Sequence, residues 1–160
     1  MNEKGKLIRN YFIVGFIVLF TIGIAIYFYV WYRTYEVEKL NTPIMSNYLQ
    51  VIHYNEVDNY LTENGEAILY VSKLNDVEIR NFEKKFKRII TKYSLNNILY
   101  LDVSNNIYNF DMIDNKYFSN IPFIIIFRKG KIDSYFSIEE SNYNLNMLID
   151  YLKDEGLIND

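Results

Sequence analysis

Apolar and polar positions divide the chain into one long uniform block followed by short alternating ones. From Tyr11 to Tyr32 no position is charged. Those 22 positions would rise about 33 Å as a helix, enough to cross a bilayer core of about 30 Å. Tyr27, Tyr29, Trp31 and Tyr32 crowd one end and Tyr11 marks the other, as an aromatic belt requires. A cleavable signal has a shorter apolar stretch and small residues at its cut site, whereas this block ends in bulky rings. The pattern therefore predicts an uncleaved single-pass anchor. Gly15 and Gly23 are eight apart and form no GxxxG pair.

Behind the anchor the periodicity changes. Thr34 to Thr42 reads as a polar connector, and Pro43 stops any helix continuing through it. Leu49 to His53 alternates like a strand. Asn55 is placed to cap a short helix with Val57, Tyr60 and Leu61 on one face, and Asn64-Gly65 would end it. Ala67 to Ser72 is a compact run of strand formers. Ile79, Phe82, Phe86, Ile89, Ile90 and Tyr93 recur at steps of three and four, an amphipathic helix. Its remaining positions, Glu78, Arg80, Glu83, Lys84, Lys85, Lys87, Arg88 and Lys92, read as a solvated face, with attraction of an anion or a membrane surface as the alternative for the basic cluster Lys84 to Arg88. Asn97 to Asp102 is a third strand, and Ser104 to Asn120 is polar and irregular with room for a short helix. Pro122 to Arg128 and Lys131 to Phe136 form a hairpin across Lys129-Gly130. A last helix turns Leu145, Leu148, Ile149 and Leu152 inward and stops near Gly156. The order β-α-β-α-β-loop-β-β-α demands parallel crossovers first and an antiparallel hairpin last, an α/β three-layer sandwich with a mixed sheet. Residues 1–10 are then a flank, 11–32 the membrane helix, 33–42 the connector and 43–160 the soluble domain.

Composition narrows the chemistry. The chain has no Cys, which removes disulfides, zinc thiolates and thiol nucleophiles together. The soluble part, about 118 residues, is large enough to bury a core without such staples. A net charge of -3 gives no field favouring nucleic acid, and none is expected as a partner. Lys4, Lys6 and Arg9 precede the span while Arg33 and Lys39 follow it. This bias favours a cytoplasmic N-terminus and an extracytoplasmic domain in the cell membrane.

Two segments carry a family resemblance. Asn120-Ile121-Pro122-Phe123-Ile124-Ile125-Ile126-Phe127-Arg128-Lys129-Gly130-Lys131 resembles the apolar residue, cis-proline, apolar strand and Lys-Gly turn of thioredoxin-like proteins. Leu69-Tyr70-Val71-Ser72-Lys73-Leu74-Asn75-Asp76-Val77-Glu78-Ile79-Arg80-Asn81-Phe82-Glu83 resembles the strand–turn–helix that carries the family's Cys-x-x-Cys. The likeness runs from about Leu49 to Leu157 and is nearest to the bacteriocin-transport-accessory type of Gram-positive bacteria. It implies a cis Ile121–Pro122 bond and a peptide groove beside it. Where the family has cysteines this chain has Asp76 and Ile79, or Asn75 and Glu78 one residue earlier. Thiol–disulfide exchange needs a thiolate, so the redox activity does not carry over. In its place Asn75 reads as the helix N-cap with Glu78 completing a capping box, and Asp76 favours the dipole.

Other chemistry has little support. His53 stands alone, Asp111 and Asp114 lie in the irregular loop, and neither GxGxxG nor GxxxxGK[ST] occurs. No cofactor, metal or catalytic residue is expected. The leading expectation is a membrane-anchored, non-catalytic module that meets lipid through its helix and binds an envelope protein or peptide. The candidate groove comprises Asn75, Asp76, Ile121 and Pro122. Two alternatives stay open: an accessory protein of bacteriocin export or thiol redox that has lost catalysis, and an enzyme of unrecognised chemistry.

Overall fold

The computed structural model describes residues 3–104 and 110–158. Residues 1–2 of the flank, 105–109 of the irregular loop and the last two residues lie outside them. The chain forms two compact units, 1–39 and 40–160.

The first unit is most of helix α1, Glu3–Asn41. From Tyr11 to Tyr32 its side chains are uncharged on every face and exposed, Phe12 at 78%. A helix apolar all round has no face for water, and Ile8–Asn41 is long and apolar enough to cross a membrane. Thr21 Oγ1 donates to Ile17 O at 2.7 Å, and Thr34 Oγ1 to Val30 O at 2.9 Å, so the hydroxyls are satisfied within the helix. The connector expected over 33–42 is helical as far as Asn41, two residues before Pro43.

The second unit follows the anticipated order: β1 (Gln50–Val51), α2 (Val57–Asn64), β2 (Ala67–Ser72), α3 (Val77–Tyr93), β3 (Ile98–Asp102), β4 (Phe123–Arg128), β5 (Lys131–Ser137) and α4 (Leu145–Asp154). The sheet runs β1-β3-β2-β4-β5. β1 and β2 are parallel to β3; β4 is antiparallel to β2 and to β5. Alternation sorts the strand side chains into two cores. Ile68, Tyr70, Ile98, Tyr100, Ile124 and Ile126 pack with Phe82, Phe86 and Ile90 of α3 and Leu148 and Leu152 of α4. Leu69, Val71, Leu99, Leu101, Phe123, Ile125 and Phe127 pack with Val57 and Leu61 of α2. Helices thus cover both sheet faces, the three-layer α/β architecture of a thioredoxin-like domain.

Local punctuation explains the boundaries. Gly65 (φ 64°) closes α2. Lys129 (φ 55°) and Gly130 (φ 71°) make the primed hairpin turn that matches strand twist. Three expectations need correction. The strand foreseen over Leu49–His53 shrinks to Gln50–Val51. Asn55 sits inside a 3-10 turn, Tyr54–Glu56, and Glu56 precedes α2 as its N-cap. Arg80 and Glu83 are not solvated: they are 2% and 0% exposed.

Candidate functional site

The turn from β2 into α3 is where redox relatives of this fold are expected to carry their cysteines. β2 ends at the buried Ser72, and Leu74 N donates to Ser104 Oγ at 2.5 Å. Asn75 adopts φ 61°, a left-handed conformation that Asn tolerates. Its N–H donates to Leu40 O at 3.3 Å, so the second unit begins beside this turn. The helix cap lies one residue later than the spacing led us to expect. Asp76, with extended backbone, accepts from Glu78 N at 3.0 Å and Ile79 N at 3.2 Å. Asn75 is therefore not the cap. Asp76 satisfies two otherwise orphaned N–H groups and places its charge at the positive end of the dipole. Lys73 Nζ lies 3.7 Å from Asp76 Oδ2 in a half-exposed pair of little energetic consequence. Ile79, at the deeper cysteine position, is fully buried, while Val77 between the two positions is 58% exposed.

The Ile121–Pro122 bond is cis, as the resemblance implied. Ile121 is half-buried and Pro122 buried. Val71 of β2 pairs with Phe123 of β4, so the turn into α3 and the Ile121–Pro122 segment emerge at the same end of the sheet. A third segment closes that end. Ile138 N donates to Pro122 O at 3.0 Å, Tyr143 N donates to Ile138 O at 2.9 Å, and the Tyr143 ring lies 6.1 Å from Phe82 of α3. Burial pushes the Tyr143 phenol up to about 12, helped by the charges of Asp76, Glu139 and Glu78. Asn120 Nδ2 also donates to Glu140 Oε1. The four expected residues thus frame one end of the sheet, with Tyr143 half-buried among them and carboxylates around it.

The reading of the sequence missed a polar cluster beneath this surface. Arg80 Nη1 donates to Glu83 Oε2 at 2.7 Å, and Glu83 Oε1 accepts from Ser72 Oγ at 2.8 Å and Tyr70 Oη at 3.1 Å. Burial pushes the Glu83 carboxyl above its ordinary value, although Arg80, Ser72 and Tyr70 all pull it down. Tyr70 and Tyr100 are raised too, first by burial and then by the Glu83 charge. Among the described residues, Arg80 Nε and Nη2 and Tyr100 Oη make no hydrogen bond. The signal was present in the spacing. Glu83 comes four residues after Ile79 and seven before Ile90, so it lies on the apolar stripe itself.

Other candidates have structural roles. Asp58 accepts from Asp111 N at 3.1 Å and Met112 N at 3.3 Å, tying that loop to α2. Asp114 caps a 3-10 turn through Lys116 N, which holds its carboxyl below the usual range. His53 is exposed, and its N–H donates to Glu56 Oε2 at 3.2 Å. Among the described residues no three His, Asp or Glu side chains are grouped to hold a metal. What the sheet end offers is an apolar and acidic surface with no thiol.

No protein-family profile matches the chain, and no curated protein matches it in sequence. Solved structures similar in chain path include thioredoxin f2 of Chlamydomonas reinhardtii, at 8% identity, covering 69% of this chain and 99% of that one with a TM-score of 0.49. Fasciola hepatica thioredoxin has 17% identity, 66% and 97% coverage and a TM-score of 0.48. Mitochondrial thioredoxin 3 of Saccharomyces cerevisiae has 14% identity, 66% and 94% coverage and a TM-score of 0.47. The thioredoxin-like fold rests on the strand order and pairing themselves.

Proposed function

We propose that the protein is a membrane-anchored, non-catalytic thioredoxin-like module that binds an extended segment of another envelope protein at the sheet end framed by Asn75, Asp76, Ile121 and Pro122. The observation that carries this reading is the convergence of the α3 N-terminus and the Ile121–Pro122 segment in a chain with no cysteine. Without a thiolate the surface is left with shape, exposed Val77 and charge. Asp76, Glu78, Glu139 and Glu140 favour a partner segment bearing Lys or Arg. A main chain laid beside the segment before β4 would bind by strand addition, with apolar side chains against Val77 and Ile121.

The cation bias around α1 supports a domain outside the cell membrane. The bacteriocin-transport-accessory likeness, which runs from about Leu49 to Leu157, favours an export-associated protein as the class of partner. Photo-crosslinking groups at Val77 and Asn75, on the full-length chain in native membranes, test the reading. The expected result is one adduct from both positions and none from Lys131 on β5. Adducts independent of position, or disulfide turnover by the unmodified chain, would remove it. Protease added to intact protoplasts should shave the domain away, and protection until lysis would reverse the orientation.

A further inference from the structure

Beyond its first turn, the exposed side of α3 is unmixed in charge. From Asn81 to Lys92 the exposed or half-exposed positions are Lys84, Lys85, Lys87, Arg88 and Lys92, together with the uncharged Asn81 and Thr91. Among the described residues none of these five cations is in an ion pair. The setting makes this unusual, because residues 40–160 hold 12 Lys and Arg against 17 Asp and Glu. A face that served only solubility would intersperse both signs.

Two tyrosines accompany the charges. Lys87 Nζ lies 5.8 Å from the centroid of the exposed Tyr48 ring. Lys92 Nζ lies 4.6 Å from the Tyr93 ring and 2.9 Å from its Oη. Tyr48, Lys87, Arg88, Thr91 and Lys92 line a shallow depression of about 350 Å³. The second unit starts at Leu40, whose carbonyl meets Asn75 just before α3, and eight residues later Tyr48 meets Lys87. The entry segment therefore runs along α3 toward its basic half. Leu40 is eight residues past Tyr32 along the chain, so a short tether joins the second unit to the uncharged span.

We propose that this basic face of α3 binds anionic lipid headgroups of the same membrane that holds α1, with Lys84, Lys87, Arg88 and Lys92 meeting phosphates and Tyr48 lying at the interface. Charge complementarity selects the partner, since outside this face residues 40–160 carry 17 Asp and Glu against 7 Lys and Arg and are on balance repelled by an anionic bilayer. The covalent tether supplies the proximity: a weak contact becomes intramolecular once α1 is inserted. Tyrosine rings are also suited to headgroup depth.

The test uses the full-length chain in vesicles of phosphatidylcholine alone or with phosphatidylglycerol added. A membrane-permeant amine reagent labels the lysines, and labelling rates are read residue by residue by mass spectrometry. Lys84, Lys87 and Lys92 should label several-fold more slowly with phosphatidylglycerol present, and high salt should erase the difference. Lys116, Lys129 and Lys131 should not change. Each neutralised cation weakens the contact by roughly fivefold. The exposed triple variant Lys87→Gln, Arg88→Gln, Lys92→Gln should therefore label at Lys84 equally fast in both vesicles. Equal rates for the unmodified chain would overturn the proposal. So would protection in phosphatidylcholine alone that grows with protein density, which would assign the face to a second copy of the chain.

Discussion

The first two turns of α3 and the turns that follow them carry similar strings of charged residues and put them to opposite uses. Arg80 and Glu83 point into the domain and bond to each other and to β2; Lys84, Lys85, Lys87, Arg88 and Lys92 stay in or near solvent. The lesson is that a charged residue on an amphipathic helix is solvated only if nothing is folded over it. Beside the first turns lie the end of β2 and the segment after β3, where Ser104 bonds to Leu74 and Asp102. Burying the Arg80–Glu83 pair removes water from two charges and leaves part of the guanidinium without a partner. Such a pair marks the place where loss of one member is costly and loss of both is tolerated.

Single truncation of the buried pair should produce the largest effect. Arg80→Ala or Glu83→Ala should each lose about 3–5 kcal/mol in denaturant unfolding of the full chain in micelles. Lys84→Ala and Lys85→Ala should stay within about 0.5 kcal/mol. The double replacement Arg80→Met, Glu83→Leu should recover most of the loss. Equal costs at Glu83 and Lys84 would erase the contrast between the two halves of the helix.

Restoring a cysteine pair sharpens the contrast at the helix start. Asp76→Cys with Ile79→Cys should cost about 1–2 kcal/mol of burial at Ile79 and a further ~0.5–2 kcal/mol for the cap at Asp76. The two thiols, at the N-cap and three residues on, should still close a disulfide under mild oxidation, seen as a mobility shift reversed by reductant. A pair that stays reduced would displace the helix start from Asp76.

The cap and its neighbour separate in smaller effects. Asp76→Ala should lose about 0.5–2 kcal/mol. Asn75→Ala should lose about 1 kcal/mol because of its left-handed backbone, and Asn75→Gly should lose almost nothing. Matching losses for Asn75→Ala and Asn75→Gly in thermal unfolding would return the capping role to the Asn75 side chain.

The smallest effect is a pH dependence. The Glu83 carboxyl is raised in the folded chain, so its contribution to stability is complete below its unfolded value, about 4.3. It is lost as pH rises through the folded value. The stability difference between the natural chain and Glu83→Gln should move in favour of the natural chain as pH falls. The lowered Asp114 is common to both proteins and cancels. A difference that moves the other way would mean that Arg80, Ser72 and Tyr70 together outweigh burial.

Much of the fold could be read along the chain because the information was local. β2 matches the compact run from Ala67 to Ser72, and Gly65, Lys129 and Gly130 stand at left-handed positions that few residues accept. The readings that failed depended on what lies across space. Asn75 and Asp76 are both good caps by residue type, and one residue of register separates them. β1 is short because Val51 is exposed at the sheet edge while Leu49 and Ile52 are buried on either side of it.

The amino-acid sequence by itself determined that one helix is long and apolar enough to cross a membrane, because no charge interrupts the run from Tyr11 to Tyr32. It determined the order of strands and helices, through apolar periods of two and of three or four, and it removed thiol chemistry by containing no cysteine. Only the tertiary structure decided that Asp76 caps α3, that Glu83 takes Arg80, Ser72 and Tyr70 as its partners, and that Ile121–Pro122 and Tyr143 share one end of the sheet. Those outcomes depend on which surfaces are covered by segments distant in sequence, and burial and hydrogen-bond partnership across such distances are not properties of a residue and its neighbours along the chain.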